Sequence, residues 1–227
     1  MNMSLAPTPY RTKQAMVYES LRSAILEGEL GAGSRLIIND LADQLQVSPS
    51  PVREAIQQMQ AEGLVTLIPH VGAVVSSVSS SQVHEVFVLL EGLETVGNRI
   101  AAERMTPDDE ASLRAILAAL GEAIAEGDTW RWAALNREFH MRVCHITGMT
   151  TLTEFTGKVF DRWQRIRHTF FPAVPATHLR DTQAEHEAIV DAMVARDHPR
   201  LETLTREHNQ KALARYSEAL EAESLTR

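Results

Sequence analysis

The chain has 227 residues, of which 44% are hydrophobic and 23% are charged, and its formal net charge is −8. This length allows one or two domains with a sizeable core, and the single cysteine, Cys144, excludes an internal disulfide framework and favours a reducing compartment. We recognise no signal peptide and no apolar run long enough to span a bilayer, so we expect a cytoplasmic protein with no membrane partner.

The first part of the chain is not basic. Residues 1–78 contain five Lys/Arg and seven Asp/Glu, a net charge of −2, and the remainder contributes −6. Such a charge gives only modest non-specific affinity for nucleic acid. If residues 1–78 bind DNA, their cations must lie on one face, and a dimer is needed to double the phosphate contacts.

The chain opens with a predicted helix that ends at Gly28. Apolar residues recur with helical spacing up to Glu27, and glycine commonly follows the last turn of a helix. A short strand is predicted over residues 35–37. A second helix follows, for which Asn39 is the expected N-cap.

A third helix and a hairpin complete this part. Ser48 is placed to cap the helix, and Gly63 is placed to end it. Two short apolar runs, residues 64–68 and 73–75, predict a β-hairpin. The order helix, turn, helix, hairpin is that of a winged helix-turn-helix, in which the second of the paired helices lies in the DNA major groove.

This fold predicts the side chains that contact a double-stranded DNA operator. Ser48 and Ser50 lie at the start of the recognition helix and can donate to phosphates, and Arg53 can reach a guanine or a phosphate. His70 and Gly72 lie at the wing tip. In the alternative interpretation, Ser48 only caps a helix and Arg53 is a solvated charge. The complete set of DNA-contact candidates is Arg22, Arg35, Ser48, Ser50, Arg53, His70 and Gly72.

A polar joint, Ser79–Ser81, separates this part from the rest and predicts two domains, 1–78 and 79–227. The second domain is predicted to be an all-α bundle, because the pattern is helical to the end of the chain. We therefore expect a mainly α protein. The first of about six helices has an apolar stripe, Val83, Val86, Leu90, Leu93, Val96 and Ile100. The six predicted ranges are 82–104, 106–127, 129–147, 151–170, 179–196 and 200–223, with Pro172 and Pro175 as breaks.

Three histidines and one asparagine stand out in the helical part. Asn136 and His140 are four residues apart and share a helix face, and His186 and His208 lie in two later helices. Three imidazoles that meet in a bundle core would form a site for Zn²⁺ or Ni²⁺ with open positions for a ligand. Spacing alone does not establish that they meet, because the chain has nine histidines.

Two other functions compete with DNA-dependent regulation. A metal-dependent hydrolase or lyase on a helical bundle could use three histidines to activate water. Against it, Glu138 and Glu185 are expected to point away from the metal face, and the winged helix is left unexplained. A constitutive architectural DNA-binding protein is disfavoured by the low charge of residues 1–78.

The residues of the first domain also resemble a known family, the GntR-family transcriptional regulators. The matching residues are Tyr18, Leu21, Arg22, Ala24, Ile25, Gly28, Leu30, Leu41, Ala42, Val47, Ser48, Pro51–Ala55 and Ala61–Val65. The helical remainder resembles the FCD effector domain of the FadR subfamily. This resemblance implies a ligand-responsive repressor that binds a palindromic operator as a homodimer and binds a small carboxylate effector beside a divalent metal.

The resemblance supports the metal site but includes a departure. Many FCD domains have Asp-x3-His on one helix and two later histidines about 22 residues apart, which matches His140, His186 and His208. Asn136 stands where the family has aspartate. An amide oxygen brings no negative charge, so the resemblance implies weaker metal binding, or a metal charge balanced by an anionic effector.

Other departures concern cations. Pro49 stands where relatives commonly have arginine, His70 and Val71 stand where a wing arginine is expected, and Leu90 replaces an arginine that relatives use to hold a carboxylate. Two alternatives follow: an acidic effector needs another cation, or the effector is less acidic or partly aromatic. The candidates considered are Arg99, Arg162, Arg165 and Arg167, of which the first three are our predicted effector-binding residues.

Overall fold

The computed structural model describes residues 12–170 and 176–224 and divides the chain into two compact units, Met1–Val78 and Ser79–Arg227. Pro172 and Pro175, the two breaks predicted from the sequence, lie outside the described residues. Among the described helices, none combines the length and the apolar character that crossing a membrane requires.

The first unit is a three-helix domain with a small sheet. Its elements are α1 (Lys13–Leu26), β1 (Arg35–Leu36), α2 (Ile38–Gln44), α3 (Pro49–Ala61), β2 (Val65–Ile68) and β3 (Gly72–Val75). The sheet is antiparallel with the order β1-β3-β2, and the hairpin register pairs Ile68 with Gly72. The predicted winged helix-turn-helix is confirmed, and the short strand predicted over residues 35–37 joins its sheet because Arg35 pairs with Val74.

The helices of this unit pack through the apolar stripes that the sequence predicts. Val17 of α1 and Val52 and Met59 of α3 are fully buried in one core. Gly63 follows α3 with φ +74°, a left-handed conformation that glycine adopts without strain. The prediction that Asn39 caps α2 is wrong, because the chain enters the helix directly from β1 and Asn39 already lies in the first turn.

The second unit is the predicted all-α bundle of six described helices. They are α4 (Ser80–Arg104), α5 (Pro107–Glu126), α6 (Thr129–Ile146), α7 (Thr150–Phe170), α8 (Ala176–Val194) and α9 (His198–Ser224). Side chains fix several helix starts: Ser79 and Thr106 each form a capping box, and Asp128 caps α6. Gly127 ends α5 with φ +70°.

Helix α4 is the centre of this bundle, because it packs against α6, α7, α8 and α9. The predicted stripe is correct in its first half, where Val83 and Leu90 are buried. It is wrong in the second half, where Val96 is 49% exposed and the polar residues Glu94 and Asn98 are buried instead. These polar side chains face inward because they find hydrogen-bond partners on α6 and α9.

Candidate functional site

The start of α3 presents polar side chains to solvent. Ser48 occupies the N-cap position, is exposed and makes no side-chain capping hydrogen bond. Ser50 and Arg53 are also exposed, and the Ser50 hydroxyl donates to Oε1 of Glu54 at 3.0 Å. The exposed N-terminal turn of the second helix of a helix-turn-helix is the part that enters the major groove in this class of fold.

The wing tip is held by one of the predicted DNA-contact residues. Nη2 of Arg35 donates to the carbonyl oxygen of Val71 at 2.8 Å, across the sheet from β1 to the hairpin loop. His70 and Gly72 have φ values of +63° and +100° and form the tight turn at the tip. The structure thus adds a wing-positioning contact for Arg35, whereas Arg22 lies half-buried on α1.

In the second unit, His140 of α6, His186 of α8 and His208 of α9 come together in the bundle core. One ring nitrogen from each can be chosen so that all three atoms lie within 4.8 Å of one another. The ring centroids are 5.0 Å apart for His140 and His186, 4.8 Å for His186 and His208, and 5.6 Å for His140 and His208. Phe139 and Phe160 pack against this cluster.

Two buried polar groups at the cluster point to a missing partner. His186 is fully buried, and neither of its ring nitrogens has a hydrogen-bond partner among the described residues; the same holds for Oδ1 of Asn136. Burial, together with His208 and His140, lowers the pKa of His186 well below its ordinary value. The ring is therefore neutral at neutral pH, which is the form that binds a metal.

A buried carboxylate stands behind His140. Nδ1 of His140 lies 2.8 Å from Oε1 of Glu94, and Nδ2 of Asn209 donates to Oε2 of Glu94 at 2.7 Å. Burial raises the pKa of Glu94, but the electrostatic interaction and the hydrogen bond with His140 outweigh burial, so the pKa falls below its ordinary value. Glu94 is thus a carboxylate, and it fixes Nδ1 of His140 as the donor and leaves Nε2 for a ligand.

A second carboxylate supports His208 in the same way. Oε2 of Glu185 lies 2.8 Å from Nδ1 of His208, and its Oε1 contacts Arg215 at 3.2 Å and Lys211 at 3.4 Å. Burial raises the pKa of Glu185, but His208 and the two cations lower it overall. The sequence places Glu185 and Glu138 off the metal face. In the structure Glu185 contacts His208 from behind and is not one of the three clustered side chains, and Glu138 is exposed.

A cavity of about 50 Å³ lies beside the histidines and is partly open to solvent. Half of its lining residues are aromatic or apolar and the other half are polar or ionisable. They include Phe87, Leu90, Glu94, Trp132, Asn136, His140, Phe160, Trp163, Leu179, Thr182, His208, Arg215 and Tyr216.

The three predicted effector-binding arginines lie elsewhere. Arg162 is exposed and pairs with Glu85 at 3.2 Å, Arg99 is exposed on α4, and Arg165 is buried in α7. None of them lines the cavity described above. The sequence could not place these side chains relative to the histidines, because helical periodicity gives the face on which a residue lies but not which helix that face meets.

Sequence reasoning missed Glu94, Arg215 and Asn209. A signal for Glu94 exists, since it lies four residues after Leu90 and therefore continues the buried face of α4. Arg215 lies seven residues after His208, two helical turns along the same face of α9. Polar residues at helix positions that face the core were the sequence signal that indicated a functional site.

Comparison with known proteins matches both units. Residues 13–75 match the gntR family of bacterial regulatory proteins, and residues 85–211 match the FCD domain. Similar proteins include the HTH-type transcriptional regulator McbR of Escherichia coli K12, 29% identical over 80% of this chain and 82% of McbR. The solved structure of E. coli McbR/YncC covers 92% of this chain and 99% of its own, with a TM-score of 0.75 and 26% identity.

Two further relatives extend the comparison. An uncharacterized HTH-type transcriptional regulator of Streptomyces ambofaciens is 30% identical over 90% of this chain and 85% of its own length. The transcriptional repressor GlaR of E. coli K12 is 25% identical over 84% of this chain and 90% of GlaR. The chain therefore belongs to the GntR family of bacterial regulatory proteins, in the subfamily with an FCD effector domain, and it is a DNA-binding transcriptional regulator and not an enzyme.

Proposed function

We propose that this regulator is a ligand-responsive repressor that binds a palindromic operator as a homodimer. In this proposal an organic acid binds in the α4–α9 bundle beside a divalent metal held by the histidine cluster. The observation that carries it is the convergence of three buried imidazoles around His186, whose two ring nitrogens lack a partner among the described residues. The relative GlaR is named a repressor, which supports the sign of the regulation.

His140, His186 and His208 would hold the metal, and the chemistry of this donor set fits Zn²⁺ or Ni²⁺. The unpartnered Oδ1 of Asn136 is a further oxygen ligand or a hydrogen-bond acceptor for a bound water. Such an ion supplies positive charge that attracts an acid group. Glu94 and Glu185 compensate for the charge that Asn136 lacks, because carboxylates behind ligating histidines raise the basicity of the ligands.

DNA recognition in this proposal uses the exposed start of α3. Arg53 reads a base or contacts a phosphate, and the hydroxyls of Ser48 and Ser50 donate to phosphates. The tight turn at His70 and Gly72 allows the wing tip to approach the DNA backbone closely. Arg35 holds that tip through the Val71 carbonyl. Support comes from the exposure of these groups and from the fold of the unit.

The dimer is proposed to form through α4 and α7, which run antiparallel along one side of the bundle. Glu85 near the start of α4 pairs with Arg162 near the end of α7, and Gly97 faces Leu152 near the start of α7. The two helices therefore form one continuous face. Both signs of charge are present at its edge, as a self-complementary surface requires.

This face carries large apolar side chains that are exposed in the single chain. Val88 and Val96 of α4 are 53% and 49% exposed, and Phe155 of α7 is 55% exposed. A second copy of the chain is the proposed occupant, because a DNA-binding unit with a net charge of −2 needs doubled phosphate contacts.

Regulation follows if the effector binds one state of the dimer better than the other. A ligand shifts an equilibrium only by its difference in affinity for the two states, and a coupling of about 1–3 kcal/mol changes operator affinity about 5- to 150-fold. The buried contacts of α4 with α6 and α9, made by Glu94, connect the histidine cluster to a helix of the proposed dimer face.

The metal part of this proposal is tested by elemental analysis of the purified full-length protein. We expect about one equivalent of zinc or nickel per chain, lost in a His186→Ala/His208→Ala double variant. His145→Ala is the matched control, because His145 lies on α6 with His140 but is exposed. Equal metal content in all three proteins, or none in the wild type after growth with added zinc, would refute the metal site.

A further inference from the structure

We propose that Arg215 binds the acid group of the effector, and that the effector is a monocarboxylic acid with a flat apolar body. This inference rests on the proposed function, because it takes the cavity beside the histidine cluster as the effector site. It replaces the three arginines expected from the sequence with a residue of α9.

The structure holds the Arg215 guanidinium rigidly at the cavity wall. Its Nη1 donates to Oγ1 of Thr182 at 2.8 Å, and its Nη2 contacts Oε1 of Glu185 at 3.2 Å, so two residues of α8 fix its plane. The side chain is only 14% exposed. Among the described residues that line the cavity, it is the one arginine. An arginine has five N–H donors in a fixed fork, which leaves donors for a carboxylate.

The count of buried charge favours a single negative charge on the ligand. Glu94 and Glu185 carry two negative charges, which a divalent ion on three neutral histidines balances. Arg215, which shares Glu185 with His208, then leaves one net positive charge in a poorly solvated site, and a single carboxylate on the ligand balances it. Lys211 and Asp181 also approach this group, but both are more than half exposed and carry opposite charges.

The remaining walls accommodate an apolar body. Leu90 and Phe160 are buried at the cavity, and the rings of Phe87 and Tyr216 stack with centroids 5.6 Å apart. Trp132 also lines it. Flat apolar groups gain from such aromatic walls, whereas the hydroxyls of a sugar acid would lose their hydrogen bonds to water there. Leu90 contributes to this selectivity because it presents a hydrocarbon surface.

The test uses full-length zinc-loaded protein, thermal-shift measurements and calorimetric titration. The probes are benzoate, 3-phenylpropionate and cyclohexanecarboxylate, each with its neutral amide, and citrate and gluconate as polar acids. We expect at least one of the three monocarboxylates to raise the Tm, with little effect from its amide, citrate or gluconate. Arg215→Leu should weaken that acid about 10- to 100-fold, and Arg215→Lys should retain part of the affinity.

Arg206→Leu is the matched control, since Arg206 lies on α9 but pairs on the surface with Glu202 and Glu91. Its affinity for the acid should equal that of the wild type. Equal binding of the acid to wild type and both Arg215 variants overturns the proposal, as does a folded, zinc-loaded wild type that binds none of the monocarboxylates. Absence of zinc and of operator binding in the wild type would instead refute the proposed function, so the two failures are distinguishable.

Discussion

Replacement of Glu94 by glutamine should weaken metal binding without leaving a cavity in the core. Glu94 is 5% exposed and contacts Nδ1 of His140 at 2.8 Å and Nδ2 of Asn209 at 2.7 Å. Glutamine keeps the size but removes the charge, and its amide group must face one of these two donors. A hydrogen bond to a charged group contributes about 1.5–3 kcal/mol and a neutral one about 0.5–1.5 kcal/mol.

The loss of about 1–2 kcal/mol in this bond corresponds to a zinc Kd about 5- to 30-fold weaker, which overlaps the range of about 10- to 100-fold that supporting residues around metals show. The assay is a competition titration of metal-free protein against a chromogenic zinc chelator. Glu91→Gln is the control, because Glu91 lies on α4 but contacts only Arg206 at 3.6 Å among its ion pairs in the described residues. A Glu94→Gln Kd within twofold of the wild type would refute the role of Glu94.

Further substitutions test the remaining proposals. Arg53→Ala should weaken operator binding by about 1–3 kcal/mol if Arg53 reads a base, or lower the salt slope by about one unit if it contacts phosphate; a fluorescence titration that detects neither change excludes it. Asn136→Asp should tighten zinc in the same competition assay, because a carboxylate supplies charge that an amide lacks, and an unchanged Kd would place residue 136 outside the metal shell. Residues 79–227 should sediment as a dimer, and the Phe155→Glu variant of this fragment should sediment as a monomer. Val194 is exposed on α8, so the control variant Val194→Glu should remain a dimer. A dimeric Phe155→Glu variant would locate the interface elsewhere.

The elements were predictable because their signals are local. Thr106 with Asp109, Asp128 and Gly127 mark helix ends by capping and by a left-handed turn, which depend on a few neighbouring residues. The pairing of β1 with β3 was not predictable. It joins Arg35 to Val74, far apart in the chain, and the short strand predicted over residues 35–37 carries no local signal of the strand with which it pairs.

The site was predictable only in part. His140, His186 and His208 were selected by spacing and by family resemblance, and the structure brings them together. The carboxylates behind the histidines were missed because the inward face of a helix is deduced from its apolar residues. A polar residue on that face is therefore assigned to the surface. Glu94 is the clearest case. Hydrophobicity predicts that Val96 is buried and Glu94 exposed, but Glu94 is buried because it pairs with His140 of α6, and Val96 is exposed.

The most direct test of a regulator controlled through its histidine cluster is operator affinity with and without the bound acid. The operator is first selected from randomised duplex DNA, and affinity is then measured by fluorescence anisotropy on zinc-loaded protein with the monocarboxylate that best raises its Tm. We expect selection of an inverted repeat and a 5- to 150-fold, thus roughly 1–3 kcal/mol, loss of affinity on adding the acid, absent in the His186→Ala/His208→Ala variant. The same operator affinity with and without the acid, or the same response in the double variant, would contradict control through this site.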